Sequence, residues 1–467
     1  MSHGVPRLVL LALLWLTPFS WLVGPGAAWS DDTASPSDQT TATETSEESS
    51  RELYQLLKLF ADTLDQIDRN YVKEVDRREL IEGAIEGMLS KLDPYSDYIA
   101  PEQLERFRSG VESEFGGIGI QIEVIDGQLT ISSSLVGGPA YRAGIMAGDK
   151  IVKIGDESTE GITRAAAIEK LKGPLGTTVT FTVQQPDSAH TQTVTLTREI
   201  VRLDTVMGDH RRRDHSWEFM LDPEKKIGYV RIVAFSRHTA DELRAAIDEL
   251  LDRGMRGLVL DLRDNPGGLL SAAIEVADLF IREGRIVSTS GRAAPERVWD
   301  ARAEGTFEDF PMAVLVNSYS ASASEILAAC LQDHNRAVIV GQRTWGKGSV
   351  QNIIELENGE SALKLTTAGY QRPSGKNIHR FPNATEADEW GVQPNEGYEV
   401  ALSAHELRQL REYRKKHDVA RRPEQVSIEE GLPKSIDAQL QRALAYLDEK
   451  LGPSETKTAQ ASPQPEK

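Results

Sequence analysis

The sequence predicts an α/β fold with a mainly parallel, helix-covered sheet, joined by a small β-rich module and by helical N- and C-terminal parts. Three observations carry that expectation. From Ile227 to Leu365, uniformly apolar strand-length runs alternate with amphipathic helical stretches, the rhythm of consecutive βαβ units. Residues 112–200 instead hold short β-rich runs punctuated by Gly and Pro. From Arg51 to Phe107, and again after Ala401, the apolar residues recur at helical spacing.

Taken in order, residues 1–30 read as an export signal. Arg7 gives a positive start, Leu8 to Leu16 is an apolar run, and Pro25-Gly26-Ala27-Ala28 offers small residues for cleavage after Ala28 or Ser30. The expected location is periplasmic or otherwise extracytoplasmic. An uncleaved signal, with Leu8 to Val23 nearly long enough to span, would leave the chain membrane-associated. Residues 31–50 are Ser/Thr/Glu-rich without periodicity and are expected to be a disordered, solvated linker. Residues 51–110 form an N-terminal helical region carrying Leu53, Leu56, Leu57 and Phe60. It is interrupted at Leu92-Asp93-Pro94-Tyr95-Ser96 and resumes at Pro101. The β module (112–200) has one helix, Arg164 to Leu171. In the core, 201–403, strands at Ile227, Leu258, Met312 and Ala337 alternate with helices at Ala240, Leu270 and Ser324. Residues 404–452 are C-terminal helices, and 453–467 an expected disordered tail. No internal repeat is present.

The chain has 467 residues with 53 Lys+Arg against 72 Asp+Glu, a net charge of −19. With 39% hydrophobic residues, bulk disorder and a multi-span membrane protein are excluded. The acidic balance argues against a nucleic-acid partner, because phosphate affinity needs clustered Lys and Arg. The single cysteine, Cys330, excludes internal disulfides and a multi-thiolate metal site, and it suits an oxidising compartment. Neither a metal nor a cofactor is expected.

In parallel α/β sheets, ligands bind beyond the carboxyl ends of the strands. Three such ends carry unusual loops: Arg263-Asp264-Asn265-Pro266-Gly267-Gly268, then Asn317 to Glu325, then Gly341 to Gly348. They would bring a Gly-Gly pair, a serine at a helix start and Lys347 to one edge. A serine hydroxyl must lose its proton as it attacks, and a neutral lysine amine can take it. The amine would have to fall from about 10.4 towards 7, which desolvation can achieve. The Ala323 and Gly268 N–H groups would hold the developing oxyanion. Ser320, Ser322 and Ser324 lie within five residues, and the pattern leaves the choice among them open.

Each feature also has a plain structural account. Ser322-x-x-Glu325 matches a helix capping box, Gly267-Gly268 could be an ordinary turn, and most loop lysines are solvated. Only their convergence favours catalysis. Gly341-x4-Gly346-Lys347 nearly spells a phosphate loop, but Gly348 stands where Ser or Thr should hold magnesium, and a strand follows, not a helix. Cys330 and His334 are an i,i+4 pair, yet Cys330 lies among Ile326, Leu327 and Leu331 and reads as core. Asn383-Ala384-Thr385 is a bare sequon match.

Taken together, Leu92 to Ser96, Phe115-Gly116-Gly117-Ile118-Gly119, Asp261 to Gly268, Ser320 to Ile326 and Gly346 to Gln351 resemble the C-terminal processing peptidases, or tail-specific proteases. These are serine–lysine peptidases with an embedded PDZ domain, and the resemblance runs from about Leu53 to Leu451. It implies a crotonase-like protease core with Ser322 as nucleophile, Lys347 as general base and Gln351 hydrogen-bonded to that lysine to orient it. Gly268 and Ala323 match the oxyanion donors. The β module resembles the PDZ domain, with Phe115, Gly116, Gly117, Ile118, Gly119 and Ile120 as the loop that captures a terminal carboxylate. The substrate then adds as a strand to the sheet edge.

The expected function is an exported serine endopeptidase that acts through an acyl-enzyme. Its partners would be unfolded or partly folded proteins with apolar C-termini, and an oligomer is left open. The competing reading is a non-catalytic PDZ adaptor or holdase. Arg372 (where the family usually has Thr), the extra stretch from Phe381 to Glu389, and His210-Arg211-Arg212-Arg213-Asp214-His215 depart from the family pattern and bear on substrate preference.

Overall fold

The computed structural model describes residues 36–186, 188–422 and 437–452. The export signal and the tail from 453 lie outside them. Two compact units are present, residues 1–80 and 81–467.

In the first unit a helix runs from Pro36 to Asn70. Residues 36–50, expected as a disordered linker, are its opening turns. Pro36 suits the first turn of a helix, and no Gly or Pro follows it to interrupt the spiral. Arg77 reaches back to Asp68 at 2.6 Å. Leu53, Leu57 and Phe60 are exposed on the helix.

The second unit is organised on a six-stranded sheet. Ile227–Ile232, Gly257–Asp261, Met312–Val316 and Ala337–Gly341 lie side by side in chain order and pair in parallel. Every residue of these four strands is buried, which a sheet covered on both faces requires. Alternation sorts their side chains. Val230, Ile232, Leu258, Leu260, Val314 and Ile339 pack under the helices Thr239–Asp252, Leu270–Asp278 and Ala323–Asp333. Tyr229, Val259, Ala313, Leu315, Val338 and Val340 meet Leu410, Leu440, Ala443 and Leu447 of the helices Ala404–His417 and Ala438–Leu451.

A second, antiparallel sheet was not legible in the sequence. Ser349–Leu356 and Ser361–Gln371 form a hairpin, and the latter strand also pairs with Asp97–Ile99 and Arg285–Ser290. Asp97–Ile99 pairs with a strand more than 250 residues further along the chain, so no local period announces this sheet.

The β module hangs from a two-strand neck, Glu114–Gly117 paired with Glu199–Arg202. Its own sheet runs in the order Ile120–Ile125, Gln128–Ser134, Lys150–Ile154, Thr178–Gln184, Thr191–Thr197. Ile120–Ile125 is therefore an edge strand. The helix Arg164–Leu171 lies against the module core and is capped by Thr163, which accepts from the Ala166 N–H.

Candidate active site

The carboxyl ends of the parallel strands meet at a cleft of about 820 Å³. It is lined by Gly267, Gly268, Ser322, Ala323, Lys347 and Gln351. Phe107 and Val111 of the helix Pro101–Glu112 close another side.

The first loop is built around Asn265, which is fully buried. Its amide donates to the Ile232 carbonyl at 2.7 Å, and its side-chain oxygen accepts the Gly267 N–H at 2.8 Å. This holds Gly267 and Gly268 at φ of +104° and +148°, conformations open to glycine. A Cβ on Gly267 would sit 2.8 Å from the Ser322 Cβ, and one on Gly268 would strike the Phe235 carbonyl. The bare backbone is what lets this loop close on the serine turn.

The three serines differ. Ser320 is buried and its hydroxyl donates to the Leu262 carbonyl at 2.8 Å. Ser324 is buried and donates to the Asn265 carbonyl at 3.0 Å. Both hydroxyls tie the serine turn to the first loop. Ser322 alone lines the cleft, half-buried, at φ +57° and ψ −115°. That is a strained conformation for a residue with a Cβ. Glu325, three residues on, accepts the Ser322 N–H at 2.8 Å, the half of the capping box that steadies the turn. The Tyr370 phenol, on the wall of the same cleft, donates to the Lys347 carbonyl.

The N–H groups of Ala323 and Gly268 have no acceptor among the described residues. Ala323 opens its helix, where the first N–H groups are left over. In the Gly268 bridge to Phe235, the neighbouring Leu269 N–H and Gly267 carbonyl take the bonds instead. Both residues line the cleft together with Ser322.

Burial pushes the Lys347 ammonium below its ordinary value, and the charge of Lys364 on the cleft wall adds to this, against Glu325 and Asp93. The Nζ sits 5.1 Å from the Tyr95 ring centre. Its loop is supported by the residues that flank the stretch departing from the family pattern. The Arg380 N–H donates to the Gly346 carbonyl at 2.8 Å, and Arg343 and Arg380 both stack on Trp390. Arg372 is likewise structural, paired with Asp333 at 2.7 Å near the end of the helix that starts at Ala323.

Gln351 corrects an expectation. Its amide donates to the Ser349 hydroxyl at 2.9 Å and to the Thr366 hydroxyl at 3.2 Å, with no bond to Lys347. A bulge between Val350 and Gln351 sets Gln351 directly opposite Thr366. Cys330 is fully buried in the main core, and burial pushes its thiol up to about 12, which leaves it chemically inert.

A second groove lies on the β module, between the edge strand Ile120–Ile125 and the helix Arg164–Leu171. Phe115, Gly116, Gly117, Ile118, Gly119 and Ile120 all line it. The N–H groups of Ile118 and Gly119 have no acceptor among the described residues. The module is also fastened to the body. Asp149 takes both nitrogens of Arg422 at 2.8 and 2.9 Å. His215, from the atypical segment, spans the Tyr141 hydroxyl and the Arg421 carbonyl, each at 2.7 Å.

Comparison with known proteins places these parts. The profile of peptidase family S41 matches residues 226–396, that of the PDZ domain residues 109–184, and that of the activating protease CtpB N-terminal domain residues 22–103. The chain is 38% identical over 372 residues to a carboxy-terminal-processing protease of Bartonella bacilliformis, covering 76% of this chain and 80% of that one. It is 36% identical over 339 residues to a carboxyl-terminal-processing protease of Synechocystis sp., covering 71% and 74%. Among solved structures, a photosystem II D1 C-terminal processing protease is 29% identical, with 73% of this chain and 92% of that one covered at a TM-score of 0.40.

Proposed function

The chain belongs to peptidase family S41, the PDZ-containing carboxy-terminal processing serine proteases, and from its cleft we propose an exported Ser–Lys endopeptidase. The observation that carries this reading is the cleft-facing Ser322 on a strained helix start, beside two unpaired N–H groups and a half-buried lysine. Lys347, in its neutral form, which burial favours, takes the Ser322 proton as the hydroxyl attacks the scissile carbonyl. The Gly268 and Ala323 N–H groups hold the oxyanion. Collapse expels the amine, which takes the proton from Lys347, and leaves an acyl-enzyme. Water, deprotonated by the Lys347 amine, then attacks the acyl carbon, and the proton passes to the Ser322 oxygen as the acid product leaves. Gln351 has no part in these steps in the conformation described.

The PDZ module supplies the substrate. A terminal carboxylate accepts the Ile118 and Gly119 N–H groups, and the tail adds to the edge strand. The in-order parallel strands with all three crossover helices on one face support a crotonase-like core. Export rests on the apolar run from Leu8 to Leu16 and the small residues after it.

The test is the full chain against unfolded proteins with apolar tails. Wild-type protein is expected to cleave, and Ser322→Ala and Lys347→Ala to lose at least a thousandfold in kcat. Full activity in either variant would overturn the dyad. Tail binding without cleavage across pH 6–9 would make the chain an adaptor. N-terminal sequencing of fractionated protein tests export.

A further inference from the structure

A row of aromatic rings leads away from the lysine side of the cleft. Lys347 lines the cleft, and its Nζ lies 5.1 Å from the centre of the Tyr95 ring, which stands outside the cleft wall. His379 packs edge-to-face with Tyr95 at 6.3 Å between ring centres, and Phe381 packs edge-to-face with His379 at 4.9 Å. Burial holds the His379 imidazolium below its ordinary value, although the Asp93 charge opposes this, so the row presents neutral rings. Phe381 ends the row, 60% exposed. Two glycines bring the row here. A Cβ on Gly348 would strike the His379 nitrogen at 2.5 Å, and one on Gly346 the Arg380 Cβ at 2.7 Å. The chain leading to Phe381 thus crosses bare backbone on either side of Lys347.

Proton transfer decides which part of a substrate meets these rings. The leaving amine takes its proton from Lys347, so its nitrogen must come within hydrogen-bond reach of the Nζ. Chain on the released side of the bond therefore begins beside the Nζ, where the row begins. In an extended chain, side chains on one face recur about every 6.6 Å, close to the 6.3 Å step from Tyr95 to His379. With the first released residue over Tyr95, the third stands over His379 and beside Phe381, and the second faces away. Among the described residues, His379 is the one ring in contact with Phe381, which leaves the other face of Phe381 for a substrate side chain.

We propose that Phe381 is a specificity-determining residue that selects an aromatic side chain at the third residue after the scissile bond. This rests on the Ser–Lys reading of the cleft. Leu at that position buries apolar surface against Phe381. An aromatic ring adds to this the attraction between the positive rim of one ring and the negative face of the other. Trp345, half exposed and with its indole N–H 3.4 Å from the Tyr95 hydroxyl, adds apolar surface at the near end of the row and does not distinguish the third position. The preference comes with the extra stretch that Phe381 opens, where the chain departs from the family pattern.

The experiment uses the full chain and one bond that it cuts in an unfolded, apolar-tailed protein, located by mass spectrometry. Quenched fluorescent peptides spanning that bond, all with the same tail, carry Phe, Leu or Ala at the third residue after it, and kcat/KM is measured for each. The Phe peptide is expected to exceed the Leu peptide by about two- to tenfold, the scale of one aromatic pair, with Ala lowest. Phe381→Leu should bring the Phe-to-Leu ratio to about one, and Phe381→Tyr should retain it. Because the ratio is taken within each variant, a change in folded fraction cancels. Equal values for the Phe and Leu peptides would overturn the proposal and spare the Ser–Lys reading. So would a ratio that survives Phe381→Leu, or an aromatic preference found at the second residue instead. Cleavage that persists in Ser322→Ala, or none by the wild-type chain, would overturn both.

Discussion

The Glu325 carboxylate accepts the backbone N–H of Lys347 at 2.8 Å from within the core, and through it the helix that starts beside Ser322 grips the lysine loop. The same carboxylate takes the Ser322 N–H at 2.8 Å, the Gly346 N–H at 2.7 Å and the Thr344 hydroxyl at 2.5 Å. One buried acid thereby sets the distance between two backbones whose side chains share the cleft. Burial raises its pKa, and the four donors work against that rise.

Glu325→Gln should separate this role from chemistry. Whichever way the amide turns, its NH2 faces two donors that then lack an acceptor. We expect a loss of about 2–4 kcal/mol in urea unfolding. Among molecules that remain folded, kcat should fall more than KM rises, because the lysine loop is misplaced while the tail site is untouched. An unchanged kcat with lowered stability would reduce Glu325 to a packing residue.

Lys347 and Lys364 predict a pH dependence. Burial first, and the Lys364 charge second, hold the Lys347 ammonium below its ordinary 10.5. The kcat/KM profile should rise with pH along one limb set by this group. Lys364→Met removes a like charge, so the Lys347 pKa must rise and the limb move to higher pH. Activity should drop at pH 7 and recover above the limb. A limb that stays in place would show that Lys364 is too well solvated to act. The native state binds this proton less readily than the unfolded chain. Its contribution to stability therefore grows as pH rises through the native pKa and is complete only above 10.5.

Asp437 and Asp261 clamp Arg263 beneath the site, at 2.8 and 2.7 Å, with all three side chains buried. Asp437 also caps its helix by accepting the Leu440 N–H. Asp437→Ala should cost about 3–5 kcal/mol, because Arg263 loses one of its two buried carboxylate partners and the helix its cap. Burial alone would raise the Asp261 carboxyl, but Arg263 overrides it and holds it at about 2. Stability from this carboxyl is thus present above about 4 and lost as pH falls through about 2. Unfolding followed by circular dichroism between pH 5 and 2 measures it. A transition that finishes above pH 4 would place the acid lability elsewhere.

Much of this molecule is written locally. The runs at Ile227, Leu258, Met312 and Ala337 are uniformly apolar because both their faces are covered. The helix Arg164–Leu171 could be bounded from Thr163 before it and Gly173 after it. Other features needed partners far along the chain. Asp97–Ile99 reads as a break between helices until the strand Ser361–Gln371 is beside it. Gln351 reads as a partner for the lysine four residues earlier, yet in its hairpin its amide donates to the Ser349 and Thr366 hydroxyls.

By itself the sequence determined the order of elements, the loops at the strand ends and the residue types that reach the cleft. Each follows from nearest-neighbour chemistry: side-chain period, backbone freedom at glycine, and helix caps. Only the tertiary structure decided which of three equivalent serines faces the cleft. A hydroxyl is committed by the acceptor it meets, and for Ser320 and Ser324 those acceptors, the Leu262 and Asn265 carbonyls, lie on a loop nearly sixty residues away.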